Sequence, residues 1–117
     1  VSEVTIYHNP RCSKSRETLA LLEAQGIHPH IIPYLTTPPD VTTLNRLLVQ
    51  LGFSDARQLM RTGESLYKTL NLADPSLSQA ALLQAMAQNP TLIERPIVVV
   101  GEQAKLGRPP QQVLSLL

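Results

Sequence analysis

The stretch Val4-Thr5-Ile6-Tyr7-His8-Asn9-Pro10-Arg11-Cys12-Ser13-Lys14-Ser15-Arg16 decides the fold. Val4 to Tyr7 is short, rich in β-branched residues and followed by a proline-containing turn, which reads as a buried strand. Glu17 to Gln25 reads as a helix with Leu19, Leu21 and Leu22 toward a core and Gly26 as its C-terminal cap. Cys12 then falls on a strand-to-helix turn. The first N–H groups of a helix have no partner within it, and with the helix dipole they favour thiolate over thiol. Arg11, Lys14 and Arg16 push the same way. The turn suits a negative sulfur, with room for a second anion beside it.

Outward from this turn, Ile31 and Ile32 with Tyr34 and Leu35 read as a second strand. A strand-helix-strand connection of this length is a βαβ unit, so the two strands are expected to be parallel. Thr37-Pro38-Pro39 breaks the chain, and Asp40 is a good N-cap. Leu44, Leu47, Leu48 and Leu51 then recur at helical spacing before Gly52. A shorter helix is expected over Ser54 to Met60, and another turn or two over Ser65 to Leu72. Ser78 caps a helix through Ala87 that stops at Asn89-Pro90. Strand character returns at Ile97 to Val100, Gln103 to Leu106 pairs back as a hairpin, and Pro109 opens a last helix to Leu117 at its first position. The order β-α-β, helices, β-β-α is an α/β class with a mixed sheet. It matches a thioredoxin-like arrangement, with one domain over 1–117 and a helical insertion over about 40–90.

Composition narrows the function. A chain of 117 residues with a net charge of +1 lacks the basic excess of a general nucleic-acid binder. No apolar run approaches the roughly 18 residues of a membrane span. One cysteine makes no internal disulfide, and a lone thiol is expected in a reducing cytoplasm. That cysteine and His8, His28 and His30 show no zinc-ligand spacing, so no metal is expected. Seven arginines against three lysines favour planar, paired donors for an oxyanion.

Several motifs together resemble the glutaredoxin-coupled arsenate reductases. They are His8-Asn9-Pro10-x-Cys12-x-x-Ser15-Arg16, Ile32-x-Tyr34-Leu35-x-Thr37-Pro38-Pro39, the region of Arg61, Glu94-Arg95-Pro96-Ile97-Val98-Val99, and Arg108-Pro109. The resemblance covers nearly the whole chain. It implies an oxidoreductase of arsenical resistance that reduces arsenate to arsenite, with Cys12 as nucleophile. It also implies that Arg61, Arg95 and Arg108 hold the oxyanion and that His8 and Ser15 keep the thiol ionised. Pro96 would be a cis proline facing the cysteine, with Arg95 aimed at the site. Glutathione would serve as co-substrate and a glutaredoxin as partner, with no tightly bound cofactor. Arg11 and Lys14 depart from the better-known reductases, where those positions are smaller or uncharged.

The residues keep other readings open. A free cysteine is often a buried structural thiol, but cationic neighbours on both sides argue for a reactive one. A thiol of pKa about 8.5 is about 3% ionised at neutral pH, and one of about 6.5 is about 75% ionised. His8 is a charged partner of the thiolate, a neutral orienting group or a solvated turn residue. Ser13 reads as a helix cap; Ser15 reads as a first-turn cap or as a hydroxyl donating to the sulfur. Asn9, Arg11, Lys14 and Arg16 are candidate contacts for an anion or for glutathione. Two alternative functions stand beside the first: a glutathione-dependent thiol reductase of the same fold, and a non-enzymatic regulator that binds a protein partner. Either enzymatic reading needs an external thiol, because the chain has no second cysteine.

Overall fold

A computed structural model describes residues 3–117. The chain divides into two compact units. The first runs to Thr37 and resumes at Arg95, and the second is Pro38–Glu94.

The first unit is a four-stranded mixed sheet in the order β2-β1-β3-β4, with β1 Val4–Tyr7, β2 His30–Ile32, β3 Ile97–Val100 and β4 Gln103–Leu106. β1 runs parallel to β2, pairing Ile6 with Ile31, and antiparallel to β3, pairing Ile6 with Val98. β3 and β4 form the expected hairpin, which turns at Gly101 with φ 61°. Helix α1, Ser13–Ala24, returns the chain from β1 to β2. Its Leu22 joins Val4, Ile6, Val98 and Val113 in one buried cluster, with Leu19 and Leu21 packed against it. Alternation along β1 sends Val4 and Ile6 to this cluster, so the strand is held by apolar side chains on that face.

Several boundaries differ from the sequence reading: the shorter helix expected over Ser54 to Met60 is a 3-10 turn at Ala56–Leu59, and the one from Ser65 ends at Thr69. Helix α1 starts at Ser13, four residues before the expected Glu17, so Cys12 is its N-cap and Ser13 lies inside the helix. β2 ends at Ile32, because the chain turns at Pro33, whose carbonyl accepts the Thr36 and Thr37 N–H groups at 2.9 Å; Tyr34 and Leu35 lie in that turn. The last segment is a 3-10 helix over Pro110–Leu116, and Pro109 is its N-cap instead of its first residue.

The second unit holds helices α2 Val41–Leu51, α3 Ser65–Thr69 and α4 Gln79–Gln88, with 3-10 turns at Ala56–Leu59 and Pro90–Leu92. α2 packs on α4, and Leu44, Leu47, Leu48, Leu82, Leu83 and Met86 are the buried residues of the two. No helix among the described residues is long and apolar enough to cross a membrane.

Candidate active site

β1 delivers His8 and Asn9 at its C-terminal end, and the chain then turns within four residues into α1. Three backbone and side-chain bonds shape that turn. Cys12 N–H donates to the Asn9 carbonyl at 3.0 Å, Arg11 N–H donates to Asn9 Oδ1 at 3.0 Å, and His8 N–H extends the sheet to the Ile32 carbonyl at 2.9 Å. Asn9 is therefore a turn-former through its own side chain. Arg16 Nη1 reaches back to the Pro10 carbonyl at 3.1 Å, and Lys14 pairs with Glu17 at 3.5 Å. Of the four residues Asn9, Arg11, Lys14 and Arg16, only Arg11 has a charged group with no protein partner among the described residues.

Cys12 is 9% exposed. No N–H group completes a capping bond of full geometry to its sulfur, yet the Ser15 and Lys14 N–H groups lie close enough to stabilise a thiolate. Burial pushes the thiol pKa up. The Ser15 N–H, the Arg95 guanidinium through charge and hydrogen bonding, and the Lys14 N–H together outweigh that, so the pKa lies below the ordinary thiol value. Arg108 adds a second guanidinium. Its Nη2 donates to Cys12 Sγ at 3.7 Å while its Nε donates to the Arg95 carbonyl at 2.8 Å. The hairpin thus brings Arg95 and Arg108 to one sulfur, although Cys12 and Arg108 are 96 residues apart in sequence.

The Arg95-Pro96 peptide is cis, as the resemblance implies, and so is Arg108-Pro109, which the sequence reading did not anticipate. Gly107 sits between Pro96 and α1. Its N–H donates to the Pro96 carbonyl at 3.0 Å, and a Cβ there would lie 2.4 Å from Thr18 Oγ1 and 2.6 Å from Pro96 Cγ. Only glycine fits between these two side chains, and it sets the path of the chain into Arg108. No periodicity or motif in the sequence signals this contact.

Ser15 resolves differently from either reading. It is fully buried, its Oγ lies 2.7 Å from His8 Nδ1, and it accepts the Asn9 N–H at 3.0 Å. Its backbone, not its hydroxyl, serves the sulfur. His8 is also buried, and burial, followed by the nearby Arg16 charge, lowers its pKa, so the imidazole is neutral at pH 7. Arg61 lies in the second unit, where its Nη1 pairs with Glu64 Oε1 and its Nε lies 4.0 Å from Glu94 Oε1. No cluster of three metal-ligating side chains exists among the described residues.

A four-stranded mixed sheet with a cysteine capping the helix after its first strand defines a thioredoxin-like protein. The comparisons give the family. The model for the ArsC family matches residues 7–116. An arsenate reductase of Haemophilus influenzae is 55% identical over 97% of this chain and 98% of its own. The solved structure of the arsenate reductase from Vibrio cholerae is 61% identical, with a TM-score of 0.98 over 100% of this chain and 99% of that one. The Escherichia coli protein YfgD, described only as uncharacterized, is 60% identical over 98% of this chain and 97% of its own. The chain belongs to the ArsC family.

Proposed function

We propose that this protein reduces arsenate to arsenite, drawing its electrons from glutathione and a glutaredoxin. The observation that carries the proposal is the Cys12 sulfur, held at a helix start with its pKa lowered and two arginines upon it. A tetrahedral oxyanion needs that charge, and arsenic, unlike phosphorus, accepts sulfur and can be reduced. The similarity to named arsenate reductases supports the substrate.

The Cys12 thiolate attacks arsenic(V), a sulfur–arsenic bond forms, and one oxygen leaves as water. Glutathione replaces a second hydroxyl in the same way. A glutaredoxin thiolate then attacks the glutathione sulfur. The bond from that sulfur to arsenic breaks with its electron pair left on arsenic, giving arsenic(III) and a glutathione–glutaredoxin disulfide. Water releases arsenite and restores Cys12. The external thiols are required because the chain has no resolving cysteine.

Arg95 and Arg108 neutralise the oxyanion and the thiolate in this scheme. The same role for Arg61 rests on the resemblance, and its pairing with Glu64 means that an oxyanion must compete for it. His8 and Ser15 hold the first turn of α1 in place. Phosphate, of the same shape, is expected to bind competitively without turnover.

The test supplies the protein with arsenate, glutathione, glutaredoxin and an NADPH-coupled recycling system. Arsenate-dependent NADPH oxidation that vanishes in Cys12→Ser supports the proposal. Turnover confined to glutathione mixed disulfides overturns it.

A further inference from the structure

We propose that a pocket of about 270 Å³ beside the catalytic loop is the subsite for the external thiol, a small thiol bearing carboxylates, with His8 Nε2–H as its fixed donor. The inference rests on the reading that turnover needs such a thiol. His8, Asn9, Pro10 and Arg11 form one wall, and Pro33, Leu35 and Thr36 from the turn after β2 form the other. Cys12 follows Arg11 directly in the chain, so this wall leads along the loop to the residue that carries the nucleophile.

The hydrogen bonds around Ser15 assign the His8 proton. Ser15 is fully buried and already accepts the Asn9 N–H. Its hydroxyl hydrogen finds no acceptor among the described residues except His8 Nδ1, at 2.7 Å. The opposite arrangement, with Nδ1–H donating, would leave a buried O–H unpaired, which is costly. Nδ1 therefore accepts and the proton sits on Nε2. Nε2 has no protein partner among the described residues, although His8 is only 8% exposed. With its Nδ1 edge turned to Ser15, the ring has its Nε2 edge left for the pocket it lines. The lowered pKa of His8 agrees with this neutral form.

The other walls supply the remaining chemistry. Arg11 is exposed and its guanidinium has no protein partner among the described residues, whereas Lys14 is paired with Glu17 and Arg16 with the Pro10 carbonyl. A carboxylate meets Arg11 and the His8 N–H, while Leu35 and the two prolines cover an apolar stem. Apolar walls with a few fixed polar groups are the usual make-up of a small-molecule site. The volume lies just under the lower end, about 300 Å³, of such sites. It admits one carboxylate-bearing end of a tripeptide thiol and leaves the sulfur outside, toward Cys12. That sulfur then bonds to the arsenic on Cys12, an arsenic–oxygen bond breaks, and the thiol proton leaves with the hydroxide as water.

The experiment titrates glutathione into isotope-labelled Cys12→Ser protein by NMR and measures thiol kinetics on the active enzyme. The expected result is a His8 ring protonated at Nε2 alone, with saturable shifts at His8, Asn9, Arg11 and Thr36 that 2-mercaptoethanol, which has no carboxylate, does not produce. Leu35→Trp, which fills the pocket from an exposed position, raises the KM for glutathione at least tenfold with phosphate affinity unchanged. Arg11→Glu raises it similarly. Shifts confined elsewhere, a proton on Nδ1, or an unaltered KM in Leu35→Trp overturns the inference. The NMR arm needs no arsenate, so glutathione seated in the pocket of a protein that reduces no arsenate would sink the proposed function and leave this inference standing.

Discussion

The starts of α1 and α2 are built to opposite ends. At α2, Asp40 Oδ1 accepts the Thr43 N–H at 2.8 Å, and Gly52 closes the other end in the left-handed conformation with φ 77°. That helix satisfies its own termini and buries Leu44, Leu47 and Leu48. At α1 the N-cap is a cysteine without a full capping bond. The donors that a serine or aspartate would occupy are left facing a sulfur, whose charge is completed from the distant Arg95 and Arg108. One helix start stabilises the fold; the other gives up part of that stability to hold a reactive thiolate.

The largest expected effect breaks that difference outright. Cys12→Ser and Cys12→Asp turn the α1 start into an ordinary cap. Turnover falls by on the order of 10³ or more, as for loss of a nucleophile. Stability at pH 7 rises by about 1 kcal/mol, the usual worth of a good N-cap. Chemical denaturation of both variants checks this, and a loss of stability would mean that the sulfur itself supports the fold. Because the folded-state thiol value lies below the unfolded one, the thiolate of the wild type contributes stability above the unfolded thiol pKa. That contribution disappears as the pH falls through the folded value. The gain in Cys12→Ser should therefore shrink toward alkaline pH.

Next in size is Gly107→Ala. The added methyl meets Thr18 of α1 and Pro96 together, both under 3 Å. Overpacking of this kind costs about 1–3 kcal/mol. Because Gly107 precedes Arg108, oxyanion affinity should fall as well. Equilibrium unfolding together with phosphate inhibition reads both effects. Thr18→Ser/Gly107→Ala, which removes the Thr18 methyl at 3.2 Å, should recover only part, since Thr18 Oγ1 and Pro96 Cγ remain in the way.

Arg95→Ala sharpens the comparison without removing the sulfur. The thiol pKa should rise toward its ordinary value, because Arg95 acts on it by charge and hydrogen bond. The pH profile of the iodoacetamide reaction reports this directly, with the midpoint moved to higher pH in the variant. An unchanged midpoint would assign the low pKa to the helix N–H groups alone.

α2 was legible from end to end, since its cap, its leucine spacing and its closing glycine are local signals, and the structure puts it at Val41–Leu51. The reach of α1 was not. Ser13-Lys14-Ser15-Arg16 has no apolar period, and the first turn is fixed by the Ser15 hydroxyl, which bonds His8 Nδ1 and accepts the Asn9 N–H, groups seven and six residues away in sequence. Cys12 and its cationic surroundings could be picked out as a site, but the direction of the Ser15 hydroxyl could not. Only the resemblance points to Arg95 and Arg108, because the hairpin alone brings them to the sulfur. Gly107 carries no signal in the sequence, because close approach of two distant side chains leaves no mark in composition or spacing. Pro33 marks the end of β2 in the sequence, where the chain leaves the sheet for the turn that the Pro33 carbonyl closes.

The smallest effect tests the other helix start. Asp40→Ala leaves the Thr43 N–H without its side-chain partner and should lower Tm by about 2–5 °C at pH 7. The Asp40 carboxyl titrates below its ordinary value, held down chiefly by the Thr43 N–H. Its stabilisation is therefore present above the unfolded carboxylate pKa and fades as the pH falls through the folded one. The Tm difference between wild type and Asp40→Ala should close in acid, and Asp40→Ser should restore most of it at neutral pH. The thiol midpoint and the phosphate inhibition constant should not move, because this cap is spent on the fold alone. A shift in either of them would mean that the two helix starts are coupled, and that the stability stored at α2 is part of what holds Cys12 in its reactive form.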